Sequence, residues 1–281
     1  MSSPVVLITG ATRGIGAAAA VELARRGAEV AIVGRDADRV RETAEAARAA
    51  GGAAAVHEHV ADLARADEVR RLAAEVLETH PRLDVLANNA GAMFTARHVT
   101  PDGHEQTLAL NHLAPFLLTD LLRERLAADG GGRVVTTASD AASAGELDFD
   151  DLEFERRSFK PMRVYGTTKL MNILFTRELA KRAAGDGITA TCFHPGVVRT
   201  GFGKNDGLLY RAGLTIVGPF LRSPDKGARS LVWLALDPAA AELSGVYVVD
   251  QKVREPTPAG RDDALAEGLW ERSAALTGVT A

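Results

Sequence analysis

Residues 5–16 read Val-Val-Leu-Ile-Thr-Gly-Ala-Thr-Arg-Gly-Ile-Gly, an apolar run that leads directly into a glycine-rich turn. The pattern predicts a strand followed at once by a helix. Glycines let the backbone turn tightly and let a pyrophosphate approach closely, and the amino end of a helix supplies free N–H groups. An ordinary glycine-rich turn is the alternative, but the first strand-to-helix junction of an alternating chain favours a dinucleotide site. Its expected contacts are Gly10, Thr12, Arg13, Gly14, Ile15 and Gly16.

Short apolar runs alternate with longer alanine-rich stretches along the rest of the chain. The runs are nearly continuous in apolar residues, as strands covered on both faces are, and strict alternation implies right-handed parallel crossovers. We therefore predict an α/β fold, a Rossmann-type doubly wound parallel sheet of about seven strands with helices on both faces. Strands are predicted at Val5–Thr9, Glu29–Val33, Ala54–Val60, Leu83–Ala87, Arg133–Thr137, Ile188–Phe193 and Val246–Val249, and helices at Ile15–Arg26, Asp36–Ala50, Ala66–Glu78, Gly103–Ala127, Tyr165–Ala184 and Pro224–Leu236.

Two stretches interrupt this alternation within what we predict to be a single domain over residues 1–281. Residues 141–163 are polar and charged, and residues 201–223 are rich in glycine but carry many apolar side chains. Insertions of this length in a compact domain are usually functional, so we expect two substrate loops, with 201–223 as a mobile apolar lid. A packed subdomain or an oligomer contact is the alternative. The tail 256–281 is expected to form one helix, Asp262–Leu276.

The composition is that of a globular enzyme. The 281 residues are 46% hydrophobic and 25% charged, enough for one large core. A formal net charge of −4 at pH 7 argues against a nucleic-acid partner, which would need a basic patch. The chain shows no signal segment and no run of about 18 apolar residues to span a membrane. Its one cysteine, Cys192, reads as a buried structural thiol, and a cytoplasmic location is expected.

The end of the second predicted strand, Val33-Gly-Arg-Asp36, indicates which cofactor is preferred. A carboxylate at this position would bind the ribose 2′-hydroxyl of NAD(H), whereas a cation accommodates the 2′-phosphate of NADP(H). The chain offers Gly34 and then Arg35, and Arg13 could supply a second guanidinium, which suits phosphate by geometry and charge. We predict NADP(H) as the preferred cofactor, with NAD(H) as the alternative. Arg35 as a solvated charge is the competing interpretation, and Asp36 is expected to cap the next helix.

Four further motifs follow the glycine turn in a fixed order. They are Asn88-Asn-Ala-Gly91, a serine after the fifth strand, Tyr165-x-x-x-Lys169 and Pro195-Gly196. Across about residues 4–250 this set resembles the short-chain dehydrogenase/reductase family. Residues 111–119, 169–181 and 194–200 look most like its retinol dehydrogenase-like branch.

Tyr165 and Lys169 make chemical sense from their spacing alone. Residues four apart share one face of a helix, and a nearby ammonium lowers the pKa of a phenol from about 10. Tyr165 could then exchange a proton with a substrate oxygen near neutral pH. The resemblance implies that Lys169 also holds the nicotinamide ribose and that Ser139 binds the reacting oxygen, with Ser143 as a second possibility. It makes Asn111 a member of a proton relay, although a structural hydrogen bond would also explain that residue.

The remaining cofactor contacts rest on the resemblance. Asp62 and Leu63 match adenine contacts, although Asp62 could simply cap a turn. Asn88 is expected to brace the sheet, and Thr200 to bind the carboxamide. Further contacts are implied for Asn89, Ala90, Gly91, Pro195, Gly196 and Val198.

These patterns predict an NADP(H)-dependent oxidoreductase that moves a hydride between nicotinamide and a carbonyl or alcohol of a hydrophobic small molecule. Reduction of an activated C=C bond and a non-catalytic NAD(P)-binding sensor are the alternatives. The resemblance favours a dimer or tetramer through the helices that carry Asn111 and Tyr165. His57 and His59, two apart on a predicted strand, face one side but lack an evident third ligand, so no metal site is expected.

Overall fold

The computed structural model describes residues 3–197 and 222–280 and contains one eight-stranded sheet. The strands are β1 (Val5–Thr9), β2 (Glu29–Gly34), β3 (Val56–Val60), β4 (Val85–Asn88), β5 (Arg133–Thr137), β6 (Thr189–His194), β7 (Val246–Val249) and β8 (Lys252–Arg254). Their order is β3-β2-β1-β4-β5-β6-β7-β8, and all neighbouring pairs are parallel except β7 with β8. The predicted doubly wound fold is confirmed.

Helices cover both faces of this sheet. On one face lie α1 (Gly14–Arg25), α2 (Ala37–Gly51) and α7 (Pro224–Leu236). On the other lie α3 (Ala66–Thr79), α4 (Gln106–Leu121), α6 (Pro161–Arg182) and α8 (Asp263–Thr277), while α5 (Arg123–Ala127) is a short turn after α4. Strand β1 shows why its apolar run is continuous: Leu7 packs into one core and Ile8 into the other, because successive side chains point to opposite faces.

The seven predicted strands are confirmed with shifts of at most two residues at their ends, but β8 was missed. It pairs antiparallel with β7 through a two-residue turn, Asp250 and Gln251, whose φ angles are +51° and +59°. Two left-handed residues are what a tight hairpin requires, yet that requirement usually appears in sequence as Asn-Gly or Asp-Gly. The exposed β8 also lacks an apolar face.

The predicted helix Gly103–Ala127 is wrong in its extent. It begins at Gln106, where the buried Glu105 carboxylate accepts hydrogen bonds from the N–H groups of Thr107 (2.9 Å) and Leu108 (2.8 Å). It then widens into a π turn at Ala109–Leu113 and ends at Leu121, so α5 is separate. Single π turns inside α-helices are frequent at functional sites, and this one carries Asn111.

The predicted tail helix is confirmed as α8, and it is part of the core. Trp270 stacks on Phe175 of α6 with ring centroids 6.0 Å apart and meets Phe116 of α4 edge-on at 4.8 Å. His112 of the π turn contacts the Ser273 hydroxyl at 2.8 Å. Helix α8 therefore covers the face of α4 and α6 that points away from the sheet.

Of the two predicted substrate loops, the structure describes residues 141–163. The Asp151 carboxylate, 4% exposed, organises this loop by accepting hydrogen bonds from the N–H groups of Glu155, Arg156 and Arg157 at 2.7 to 3.1 Å. Residues 201–221 of the second predicted loop lie outside the described residues. Within the described part of the chain, no helix is both long and apolar enough to cross a membrane.

Replacing Trp270 with alanine should show that α8 belongs to the folding core. The side chain is 6% exposed, and removing a buried tryptophan typically costs about 3–5 kcal/mol. We expect the free energy of unfolding in urea to fall by about 3 kcal/mol. The control Glu271→Ala, one residue on and exposed, should change it by less than about 0.5 kcal/mol. A decrease of less than about 0.5 kcal/mol in the free energy of unfolding for Trp270→Ala would mean that α8 does not belong to the folding core.

Candidate active site

The carboxyl ends of the parallel strands bring the predicted site residues to one edge of the sheet. Strands β2 and β4 lie on opposite sides of β1, so the strand order reverses there and leaves a crevice. Ligands of open α/β sheets bind at such a point. Asn89 directly follows β4, and Pro195 directly follows β6. Ser139 lies two residues after the end of β5, and Gly10 directly follows β1.

The glycine turn fits tightly against the turn after β4. Gly10 has φ +63°, and a Cβ on it would lie 2.6 Å from the Ala90 Cα. A Cβ on Gly16 would lie 2.3 Å from the Gly10 carbonyl oxygen. The Asn89 side chain donates to the carbonyls of Thr9 (3.0 Å) and Gly10 (3.2 Å), which ties the two turns together. Only glycine leaves this backbone open to a close ligand, and α1 begins directly behind it at Gly14.

The end of β2 leaves no room for an acidic side chain. A Cβ on Gly34 would lie 2.3 Å from the Thr12 methyl group, so a residue with a side chain there must displace Thr12. Arg13 and Arg35 flank this point, both are exposed, and neither forms an ion pair with any described residue. Asp36 caps α2, as predicted, by accepting a hydrogen bond from the Arg39 N–H at 3.3 Å. The edge beside Gly34 therefore presents two exposed guanidinium groups.

Asp62 and Leu63, two of the residues expected to contact the adenosine, also have structural roles. The Asp62 carboxylate accepts a hydrogen bond from the Ala64 N–H at 3.2 Å, which is the turn cap that the sequence left open as an alternative. Leu63 is buried beside it in the core under α3. Asn88 donates to the Thr119 hydroxyl of α4 at 3.0 Å and so braces the sheet, as expected.

Lys169 is the most deeply buried charged group of the crevice. Its side chain is 2% exposed, and its Nζ donates to the carbonyl oxygen of Thr137, the last residue of β5, at 2.8 Å. Burial lowers the pKa of Lys169 to about 8. The Nζ lies 5.5 Å from the centre of the Tyr165 ring, one turn earlier on α6. The predicted pair therefore shares one helix face, with Tyr165 half-buried at its outer end.

Asn111 is held by protein groups on both ends of its amide. Its Nδ2 donates to the Ala92 carbonyl (2.9 Å) and to the Thr168 hydroxyl (3.0 Å), and its Oδ1 accepts from the Ala92 N–H at 2.9 Å. A Cβ on Gly91 would lie 3.2 Å from this oxygen and 3.3 Å from Lys169 Nζ. The structural role that the sequence left open is thus present, and the Asn111 oxygen and the Lys169 ammonium both lie near Gly91.

Ser139 begins the 3₁₀ turn Asp140–Ala144, and its Oγ accepts a hydrogen bond from the Ala141 N–H at 3.2 Å. Its hydroxyl donates to none of the described residues. Ser143, the second possibility, is exposed and donates to the Asp140 carbonyl at 2.7 Å, which favours Ser139.

This turn packs directly on α6 at the residue after Tyr165. A Cβ on Gly166 would lie 2.4 Å from the Ala141 carbonyl oxygen, and one on Gly145 would lie 2.5 Å from the Gly166 carbonyl oxygen. Backbone-to-backbone contact of this kind fixes the distance between the turn and the helix. Ser139 and Tyr165 are therefore carried by two segments that cannot move apart independently.

A polar cluster behind Ser139 was not foreseen from the sequence. His194 Nδ1 accepts a hydrogen bond from the Asp140 N–H at 3.2 Å, while its Nε2 lies 3.1 Å from the Asp140 carboxylate. The Tyr247 hydroxyl donates to the same carboxylate at 2.8 Å. Burial lowers the pKa of His194, and the Asp140 carboxylate partly offsets this. The position of the Ser139 turn thus depends on His194, whose only signal in sequence was its place before Pro195.

A cavity of about 200 Å³ opens beside Ser139 among the described residues. Its lining mixes polar groups near Ser139 with apolar surface. It is lined by Ser139, Asp140, Ala142, Ser143, Ile173, Tyr247, Glu255, Pro256 and Thr257. Gly196, with φ +81°, turns the chain after β6. The predicted contacts Val198 and Thr200 lie outside the described residues.

Comparison with known proteins gives one family. The family model described as short chain dehydrogenase matches residues 4–208. The chain is 46% identical over 279 residues to a protein of Streptomyces sp. (strain C5) described provisionally as a daunorubicin C-13 ketoreductase, covering 98% of this chain and 93% of that protein. It is 37% identical over 281 residues to retinol dehydrogenase 13 of Homo sapiens, covering 98% and 85% respectively.

Solved structures show the same architecture. A crystal structure of an uncharacterised protein from Mycobacterium paratuberculosis superposes with a TM-score of 0.81 at 32% identity, covering 99% of this chain and 94% of that one. A short-chain dehydrogenase from Burkholderia cenocepacia J2315, solved in complex with NADP, superposes with a TM-score of 0.69 at 29% identity, covering 87% and 94%.

Lys169→Met should stabilise the fold. Because the pKa of Lys169 is about 8 when folded and 10.5 ordinarily, holding the charge inside below pH 8 costs about 3 kcal/mol. Methionine has similar volume and no charge, and the Thr137 carbonyl keeps the Asn172 donor at 3.2 Å. Allowing for the lost hydrogen bond, we expect the free energy of unfolding at pH 7 to rise by about 1–2 kcal/mol.

The pH dependence of the free energy of unfolding provides a second test of this prediction. Between pH 8 and 10.5 the folded wild type releases a proton that its unfolded chain retains, so the wild type gains stability and the advantage of Lys169→Met should shrink. Urea unfolding of both proteins at pH 7, 8, 9 and 10 measures this. A constant difference across these pH values would contradict the burial cost assigned to Lys169.

Proposed function

The chain belongs to the short-chain dehydrogenase family, resembles its retinol dehydrogenases and is an NAD(P)-dependent oxidoreductase; from that premise we propose that it prefers NADP(H) and reduces a ketone or aldehyde, or oxidises the matching alcohol, of an apolar small molecule. The observation that carries this proposal is the buried Lys169 ammonium 5.5 Å from the Tyr165 ring. A buried cation beside a phenol, at the crevice edge of the sheet, suits proton transfer to a substrate oxygen.

The proposed preference for NADP(H) rests on three features of the β1–β2 edge. Thr12 fills the space that an acidic side chain at Gly34 would need, so the carboxylate that would bind a 2′-hydroxyl has no place. Arg13 and Arg35 are exposed and unpaired among the described residues, free to bind a phosphate bidentately. The NADP complex of a relative at 29% identity supports the same choice.

In the proposed mechanism, the bound cofactor supplies or receives the hydride, and the chain's own residues manage the proton. The Tyr165 hydroxyl donates its proton to the substrate carbonyl oxygen during reduction and takes it back during oxidation. The Lys169 ammonium favours the phenolate that this leaves and also holds the nicotinamide ribose. The Ser139 hydroxyl, which has no acceptor among the described residues, donates to the same substrate oxygen and fixes its position.

Asn111 is proposed to hold a water molecule that relays protons between Lys169 and solvent. The amide is locked between the Ala92 backbone and Thr168, and its oxygen and the Lys169 ammonium both lie near Gly91. A relay member held this rigidly costs little reorganisation during turnover.

An apolar substrate is favoured by the apolar part of the cavity beside Ser139 and by the relatives. The described cavity beside Ser139 includes Ala142, Ile173 and Pro256. One relative is named for ketone reduction on daunorubicin and another for retinol. A screen of polycyclic ketones, retinal-like aldehydes and small polar carbonyls with NADPH tests this, and product analysis separates carbonyl reduction from C=C reduction. Turnover of small polar carbonyls alone would overturn the proposed substrate class.

We propose that a dimer or tetramer would use a surface other than the outer faces of α4 and α6, which were expected from the sequence. Helix α8 lies against α4 and α6, with Trp270 between Phe116 and Phe175. A partner subunit could reach that face only by displacing a buried helix. We therefore expect any homo-oligomer to leave α8 in place.

Arg35→Ala should change the cofactor preference. An arginine–phosphate hydrogen bond is worth about 1.5–3 kcal/mol, so we expect the NADPH dissociation constant to rise about 10- to 100-fold. NADH has no 2′-phosphate, and its binding should change less than about threefold. Fluorescence titration of both cofactors measures this. Arg41→Ala, an exposed arginine on α2, is the matched control. Equal losses of affinity for NADPH and NADH would contradict the assignment of Arg35 to the 2′-phosphate.

Tyr165→Phe removes one hydroxyl and little volume, so it should retain the fold and bind NADPH within about twofold of wild type. Turnover should fall at least 100-fold, the low end of acid–base contributions. Ser139→Ala should also lower kcat, with NADPH binding unchanged. The measurements are kcat on a substrate from the screen and NADPH binding in parallel. Wild-type turnover by Tyr165→Phe would mean that another group donates the proton.

A further inference from the structure

Three side chains meet at the opposite edge of the sheet, far from the crevice along the strands. Glu29 is the first residue of β2, His57 lies near the start of β3, and His80 directly follows α3. The sequence suggested no third ligand for His57 and His59. The fold instead brings Glu29 and His80 to His57, without His59, because the amino ends of parallel strands and the carboxyl end of the crossover helix converge at this edge.

The three ligand atoms surround a common point. His57 Nε2 lies 2.9 Å and His80 Nδ1 lies 3.5 Å from the same oxygen, Glu29 Oε1. All three atoms lie within 4.8 Å of one another. Nitrogen and oxygen ligands at about 2.0–2.2 Å from a tetrahedral Zn²⁺ would be about 3.4 Å apart. The two distances to the Glu29 oxygen are close to this spacing.

Both imidazole nitrogens are buried without a hydrogen-bond partner among the described residues. The 2.9 Å approach of His57 to Glu29 does not have the geometry of a hydrogen bond. His80 is only 1% exposed, so water cannot satisfy its ring freely. A buried imidazole nitrogen left unpaired beside a carboxylate oxygen costs free energy, and an ion between them would remove that cost.

For neutral imidazoles, a second chain of contacts indicates which nitrogen of His80 carries the proton. Glu75 Oε1 lies 2.8 Å from His59 Nδ1, so that nitrogen carries the proton and donates. His59 Nε2 is then an acceptor, and it lies 3.2 Å from His80 Nε2, which must donate. This leaves a lone pair on His80 Nδ1, facing the Glu29 oxygen.

We propose that Glu29, His57 and His80 form a binding site for a divalent transition-metal ion of the Zn²⁺ type, with water as the fourth ligand. Glu29 and His57 are 30% and 38% exposed, which gives the ion and the water a path from solvent. Glu75 and His59 would orient His80, as hydrogen-bonded carboxylates orient metal-binding histidines. The ion would join β2, β3 and the end of α3, stabilising the edge of the sheet.

Zinc titration of the full chain, stripped with a chelator and followed by calorimetry, tests the site. We expect one equivalent of Zn²⁺ to bind and to raise Tm. His57→Ala and Glu29→Gln alter partly exposed residues, so both should fold, and each should weaken binding at least 100-fold. Glu75→Gln should weaken it about 10- to 100-fold, the effect of removing a group that orients a ligand. His98→Ala, an exposed histidine elsewhere, should bind like wild type.

Cobalt supplies a readout that depends only on the ligands. Co²⁺ bound by two imidazoles and a carboxylate in a four-coordinate site should give visible absorption bands that are lost in His57→Ala. Binding that survives unchanged in both His57→Ala and Glu29→Gln would mean an adventitious ion only and would overturn the proposal. Absence of binding by wild type at 100-fold molar excess of Zn²⁺ would overturn it as well. Neither result bears on the active site across the sheet.

Discussion

The candidate active site depends on the burial of one ammonium group, that of Lys169. Burial lowers its pKa to about 8, so the fold keeps a charge inside at a cost that a purely structural residue would not carry. The Thr137 carbonyl partly offsets this cost, and it can do so only because β5 ends at that residue. The neighbouring amide of Asn111 is locked by three hydrogen bonds. A fully bonded polar group in a low-dielectric site holds its geometry, which is what directed proton transfer needs.

Most of the fold could be predicted because strands that are buried on both faces have a recognisable apolar pattern in the sequence. Most strands of the parallel sheet are nearly continuous apolar runs, and each strand was found to within two residues. The hairpin strand β8 left no such mark, because it is exposed and its turn uses Asp250 and Gln251 rather than glycine. The π turn at Ala109–Leu113 was also invisible, since a single extra residue per turn does not change the apolar pattern over a helix of this length.

The candidate site was predictable where its residues lie close in sequence or form an ordered motif set. Tyr165 and Lys169 are one helical turn apart, so their proximity needs no tertiary information. The cluster of Asp140, His194 and Tyr247 was not predictable, because it joins the turn after β5 to β6 and β7 through contacts 54 and 107 residues apart. Lone polar residues carry no local periodicity, and only the registered sheet brings them together.

The central claim is that the Lys169 ammonium sits in a site that weakens its hold on the proton. Nuclear magnetic resonance of protein labelled with ¹³C at lysine Cε measures this directly, with the Lys169 signal assigned by its absence in a variant without that lysine. The account predicts a titration midpoint near pH 8, separate from the other lysines. A midpoint near 10.5, the ordinary value for lysine, would contradict it.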